Sequence, residues 1–303
     1  MATARRSRID SRDHSASRDV STSDELRAAR PFTISALTPM RTLAERAYYF
    51  LCLQAGRLIR SARYSDVAFA ERDGGCEVRK RRRIHAPLLV QTSRPVFRIL
   101  GAGLRVLPHR EWVSREQRLY RQLQRGTVRK EGDVLVMPML AGTSLARLLD
   151  DAGMNESDRR RAIELAVIAL ARLHREGITH GDAMADNVLV DFDAGTAHWF
   201  DFETLHDSNR SEAWRRADDL RALLATCLLR TPEAESEVVL ACLVEAYGDP
   251  TIERHLAERF RSILQRPLAF HLGQAPLPRL RFRTIARWLE ARALRAGASP
   301  NFD

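Results

Sequence analysis

The sequence predicts an α+β fold of two lobes, a small β-rich N-terminal one and a larger helical C-terminal one. Three observations predict it. Between residues 63 and 139, short segments of alternating or β-branched character are separated by Gly-containing turns. Beyond residue 144, apolar residues recur mostly at helical spacing. The join, VLVMPMLAGTSL over 134–145, passes from strand character through Gly142 to a helix start.

The first 35 residues are rich in Ser, Arg and Asp and have little to bury, so they read as a disordered tail. A small lobe with a preceding helix is expected over 36–139 and a helical lobe over 140–303. Thr42 to Arg60 places Leu43, Ala47, Phe50, Leu51 and Leu58 on one helical face. Arg63 to Arg82 reads as two strands joined at Asp73-Gly74-Gly75, whereas 94–107 shows no decisive period. Glu111 to Gln124 reads as a helix burying Trp112, Leu119 and Leu123. Strands over 127–129 and 133–139 follow, and Lys130 falls in the turn between them. Ser144 can cap a helix over 145–150. Ile163, Ala166, Val167, Leu170 and Leu173 mark a long helix over 158–176, and Gly177 supplies its stop. The chain from 211 to 298 is mostly helical, punctuated by Pro267, Pro276 and Pro278.

Composition excludes several classes. The 303 residues hold 49 Lys and Arg against 39 Asp and Glu, a formal charge of +10, yet Lys80 and Lys130 are the only lysines. Such an Arg skew reads as the habit of a GC-rich bacterial genome, which weakens the charge as evidence for nucleic acid or lipid. A lysine retained in that background merits separate attention, because Arg cannot replace a compact ammonium everywhere. The four cysteines form no C-x-x-C pair, which argues against a zinc site or a disulfide framework and suits the cytoplasm. The apolar stretch from Ala47 to Leu53 is too short to span a bilayer, and no secretion signal is expected.

The chemistry concentrates in ITHGDAMADNVLVDFDAGTAHWFDFE, residues 178–203, which follows the long helix at once. Asn187 lies five residues beyond Asp182, and Asp201 lies fourteen beyond Asn187. The stretch between Asn187 and Asp201 alternates as a hairpin turning at Asp193-Ala194-Gly195. A loop, a hairpin and a second Asp would bring three oxygen-bearing side chains around one point. Phosphoryl transfer needs such a point: one carboxylate to align a hydroxyl and accept its proton, an amide and a carboxylate to hold magnesium against phosphates.

At these residues the sequence resembles the protein-kinase-like superfamily. HGDAMADN stands where that superfamily carries its H-x-D-x-x-x-x-N loop, and Asp201-Phe202-Glu203 where it carries D-F-G. The resemblance implies a bilobal kinase-like fold, Asp182 as catalytic base, His180 as a brace of the loop, Asn187 and Asp201 as magnesium ligands, and Leu189 under adenine. It extends to LVMPML, implying Met137 at the back of the pocket and backbone groups of Met139 for adenine. It extends also to CEVRKR, implying Val78 against adenine and Lys80 on the phosphates. Glu116, with Glu111 as rival, would pair with Lys80, and Asp219, with Asp218 as rival, would brace the catalytic loop. ATP and Mg2+ are the cofactors implied.

The departures are informative. No G-x-G-x-x-G precedes the hairpin, which leaves Ser61, Ser65 or bare backbone to cover phosphates. Glu203 replaces the glycine of D-F-G and should limit flipping of that segment. Gly181 replaces the arginine that reads a phosphorylated activation loop in many regulated kinases. Only 18 residues separate Asp201 from Asp219, too few for a peptide-docking platform. These features resemble compact branches: RIO-type, aminoglycoside-phosphotransferase-type and lipopolysaccharide-core kinases. The expected acceptor is a hydroxyl of a glycolipid sugar, a small molecule or a protein Ser/Thr, with peripheral contact to the inner membrane for a glycolipid. A pseudokinase or nucleotide-binding regulatory module and an RNA-associated RIO-like kinase are the alternatives, and the outward arginines of the run 79–83 are expected mainly as a solvated strand edge.

Overall fold

A computed structural model of the chain describes residues 65–72, 75–99, 103–261 and 279–295. The expected tail, the helix over 42–60 and Ser61 lie outside the described residues.

Two strands, β1 (Ser65–Arg72) and β2 (Gly75–Arg82), pair antiparallel across the expected turn. A helix α1 (Ala86–Ile99) follows where the sequence shows no decisive period; Pro95 inside it and Thr92 and Ser93, whose hydroxyls bond back to helix carbonyls, blur its pattern. Strand β3 (Leu104–Val106) leads into α2 (His109–Gln122), which buries Trp112 and Leu119 as expected. Then come β4 (Arg129–Glu131) and β5 (Val134–Pro138), so Lys130 sits in an exposed strand and not in the turn, which moves to Gly132 and Asp133. The sheet order is β1-β2-β5-β4.

Register sorts that sheet into two faces. Directly opposed antiparallel residues share a face, so Phe69, Val78 and Met137 lie together, as do Val67, Lys80 and Leu135. The other face carries Arg79 and Arg81 of the basic run, and these two and Arg83 are neutralised by neighbouring carboxylates. Arg79 pairs with Glu131 at 2.8 Å, Arg81 with Asp133 at 2.6 Å and Arg83 with Asp66 at 2.6 Å. The strand-edge reading of the run is corrected: β2 is an inner strand, paired on both sides, and its outward arginines are matched by carboxylates of the neighbouring chain segments.

The chain leaves β5 and forms β6 (Thr143–Ser144) and α3 (Leu145–Asp150), with the Ser144 hydroxyl accepting from the Arg147 N–H. The long helix α4 (Glu156–Arg175) starts at an Asn155 cap, and Gly177 follows it at φ +74°. A 3₁₀ turn (Ala185–Asn187) leads into the hairpin β7 (Val188–Asp191) and β8 (Thr196–Trp199), closed by Gly195 at φ +61°. Strand β9 (Thr204–His206) crosses back to pair with β3. The helices α5 (Glu212–Arg230), α6 (Ser236–Tyr247), α7 (Pro250–Arg261) and α8 (Arg279–Arg295) complete the described chain. The main apolar core joins α3, α4, α5, α6 and α7 to the inner residues of the hairpin, Val188, Val190 and Trp199. A smaller core under the sheet contains Trp112, Tyr120, Leu135 and Met137. This is the bilobal α+β architecture the sequence predicts. No described helix is long and apolar enough to cross a membrane.

Candidate active site

The loop 180–187 is held from below by one face of α5. The Asp219 carboxylate accepts from the backbone N–H of His180 at 2.7 Å and of Gly181 at 2.8 Å, and His174 Nε2 lies 3.1 Å away. Burial would raise this acid, but His206 and His174 outweigh it and hold the carboxyl down at about 2. Seven residues on, the Thr226 hydroxyl accepts from the Ala185 N–H at 3.0 Å; four beyond that, Arg230 grips Asp186 at 2.9 Å and Asp150 at 2.7 Å. Spacings of seven and four put all three on one side of a helix. Asp219 is thus the brace and its rival is not: Asp218 pairs with Arg221 and Arg259.

His180 braces the loop from above. Its Nε2 lies 2.8 Å from the Phe200 carbonyl, its Nδ1 accepts from the Asp182 N–H at 3.2 Å, and its ring packs between Trp199 and Phe202. Burial pushes its pKa down to about 4, so the ring is neutral at pH 7 and can serve both as acceptor and donor. Gly181 has φ +84°, and a Cβ there would stand 3.0 Å from the Thr204 carbonyl oxygen. The loop and β9 therefore touch backbone to backbone, which a side chain at 181 prevents. We expect Gly181→Ala to cost about 1–3 kcal/mol, measured as a lower urea midpoint.

Asp182 is the loop's free acid. One carboxylate oxygen accepts from Asn187 Nδ2 at 3.0 Å, while Oδ1 is buried without a hydrogen-bond partner. Burial, then the charges of Asp201 and Glu203, push its pKa up to about 8. The Asn187 amide also donates to the Asp182 carbonyl at 2.8 Å, which leaves its own oxygen as the group free for other contacts. Asp201 stands at φ +66°, a left-handed conformation uncommon outside Gly, and its carboxylate bonds Lys80 Nζ directly. Burial alone would lower the Lys80 pKa; Asp201, Glu203 and Glu116 outweigh it and raise the value above that of a free lysine.

Two expected contacts are rearranged. Lys80 pairs with Asp201 and, at 3.6 Å, with Glu203, and not with Glu116. The Glu116 carboxylate instead accepts from Trp112 Nε1 at 3.2 Å and from the Phe202 N–H at 3.0 Å. Helix α2 thus braces the backbone of the Asp201-Phe202-Glu203 segment, and burial pushes Glu116 up to about 7. Its rival Glu111 pairs with Arg105 at 2.8 Å. The Met139 N–H is taken by the Cys76 carbonyl at 3.1 Å, because the β2–β5 ladder runs one rung further than expected; only its carbonyl remains to offer. Val78 and Met137 lie opposite each other on the sheet face that carries Lys80. Leu189 is half-buried, pointing away from the core that takes Val188 and Val190.

Arg115 escapes sequence reasoning. Its guanidinium, buried, donates to the Thr204 carbonyl at 2.7 Å and the Thr179 carbonyl at 2.8 Å, stitching α2 to β9 and to the residue before His180. Nothing distinguishes it in a chain that writes Arg almost everywhere.

The donor set fits a divalent cation. Asp182, Asp201 and Glu203 crowd each other enough that burial and mutual repulsion raise the acids at 182 and 203. Among the described residues no three His, Cys, Asp or Glu side chains already form a closed metal cage. Magnesium in phosphoryl transfer takes one or two protein oxygens and completes its shell with phosphates and water, so an open set of Asp201 and Asn187 suits it.

Residues 109–243, from the start of α2 into α6, match the model of the lipopolysaccharide kinase (Kdo/WaaP) family. Over those residues, which include the loop 180–187 and Asp201-Phe202-Glu203, the chain is similar to that family. No curated protein matches the sequence. Among solved structures, the chain is similar to Rad53 residues 1–466 in complex with AMP-PNP, at 16% identity, a TM-score of 0.32 and 76% coverage of this chain. It spans 57% of that structure's chain.

Proposed function

We propose that this kinase-like protein is a magnesium-ATP-dependent phosphotransferase whose acceptor is a hydroxyl of a lipopolysaccharide-type glycolipid sugar. The match over residues 109–243 carries the choice of acceptor, since it covers the loop, the metal segment and the helix bracing both. Asp182 aligns the acceptor hydroxyl and takes its proton. Asn187 and Asp201 hold magnesium, and Lys80 steadies the phosphates. Magnesium held there would supply positive charge beside the transferred group and the crowded acids, and Asp182 would hold and accept the hydroxyl proton at its carboxylate. Val78, Met137 and Leu189 supply apolar walls for adenine. The protein's own part is positioning and electrostatics. A glycolipid acceptor places the enzyme at the inner membrane surface.

The test is transfer of label from γ-labelled ATP to purified lipopolysaccharide core, with a protein substrate and RNA in parallel. Label on the sugar fraction with Mg2+, lost with EDTA, is the expected result. Label on protein alone would overturn the acceptor assignment.

A further inference from the structure

We infer that Glu203, and not Glu116, is the carboxylate that positions Lys80 against the nucleotide, so that one three-residue segment sets both the lysine and the metal ligand. The inference rests on the phosphotransferase reading above.

Lys80 is buried, and a buried ammonium needs an anion beside it. Among the described residues, two carboxylates lie within 4 Å of its Nζ: Asp201 and Glu203, the latter at 3.6 Å. Asp201 is also a proposed metal ligand, and a carboxylate engaged with a divalent cation no longer neutralises a lysine fully. Glu203 is then the anion left to Lys80. Glu116 has no oxygen within 4 Å of Nζ: its Oε1 accepts from Trp112 Nε1 and the Phe202 N–H, and its Oε2 is buried without a hydrogen-bond partner.

Glu203 is also built in. Its backbone carbonyl accepts from the Leu107 N–H at 2.8 Å, and its carboxylate lies 3.5 Å from Arg82, which donates to the Leu107 carbonyl at 3.2 Å. Lys80 and Arg82, two apart on β2, both sit over the Trp112 ring, at 5.3 and 4.9 Å from its centroid. The glutamate thus lies between two cations of one strand face, and the strand β9 that follows it is paired to β3. In this arrangement the lysine is fixed by the sheet and by the segment that carries Asp201 and Glu203, which α2 braces in turn through Glu116 and Trp112. It also gives the replacement of the expected glycine a positive use.

The test is a double-mutant cycle between Glu203→Gln and Lys80→Met, read by calorimetric titration of Mg-ADP and by KM and kcat for ATP. Glu203→Gln is expected to weaken Mg-ADP binding and raise KM for ATP about tenfold, and to add nothing once Lys80 is Met. Glu203→Asp, which keeps the charge at shorter reach, is expected to fall between; should the Gln variant melt too low to assay, the same cycle run with Asp decides. Additive effects of the two substitutions would overturn the inference, since Glu203 would then act on something other than Lys80. A raised Mg2+ half-saturation with Lys80-dependent binding intact would overturn it in favour of metal ligation. If Glu203→Gln binds and turns over like wild type, the inference alone falls. If wild type binds no nucleotide, the phosphotransferase reading falls and takes the inference with it.

Discussion

Asp182→Asn lowers phosphoryl transfer by about 10²–10⁴-fold while nucleotide binding survives. The amide is nearly isosteric, and its oxygen can keep the contact that Asp182 accepts from Asn187. It cannot take a proton from an acceptor hydroxyl. The Asp182 oxygen without a partner, Oδ1, is the one placed to do so. Nucleotide contacts assigned to Lys80, Asp201 and Asn187 remain. The checks are single-turnover transfer from labelled ATP and the melting shift caused by millimolar Mg-ATP, which the variant should retain. Full turnover by the variant would remove Asp182 from the chemistry.

Asp219→Asn destabilises the fold by about 3–5 kcal/mol and abolishes activity with it. Two backbone donors, from His180 and Gly181, converge on one fully buried carboxylate, with His174 Nε2 on the same group. An amide has one acceptor oxygen, and its NH2 must then face a donor. Chemical denaturation measures the loss as a lower midpoint at unchanged slope. Wild type carries the matching acid dependence. The Asp219 pKa falls from 3.8 to about 2 on folding, so its contribution is complete above pH 4 and is lost as the pH falls towards 2. An Asp219→Asn protein as stable as wild type would show that the loop does not depend on this brace.

Much of this was legible in order along the chain. Ser144 as a cap, Gly177 as a stop and Gly195 in the hairpin each act through local backbone geometry, which the residue type expresses directly. Trp112 and Leu119 follow from helical period. Helix α1 was not legible, because Pro95 and back-bonded hydroxyls interrupt the pattern that tertiary packing on β3 then overrides. Resemblance favours Asp219 over Asp218, but local pattern does not separate two adjacent acids. Only the placement of the catalytic loop and of Arg221 and Arg259 tells them apart.

The two lysines show where that boundary falls. The sequence alone determined that Lys80 is exceptional in an Arg-writing chain, that it shares a strand face with Val78, and that Asp182, Asn187 and Asp201 lie at spacings suited to phosphate chemistry. Only the tertiary structure decided its partner. Glu116 and Glu203 are both acids at plausible distances along the chain, and which one reaches Lys80 depends on whether α2 spends its carboxylate on the Phe202 backbone. The same holds for Gly181, whose need for a missing side chain comes from the approach of β9, a strand on the far side of the β7–β8 hairpin in sequence. Spacing along a chain is fixed by local geometry. Pairing across it is fixed by which buried charge finds which partner once the sheets and helices are packed, and a single sequence does not write that down.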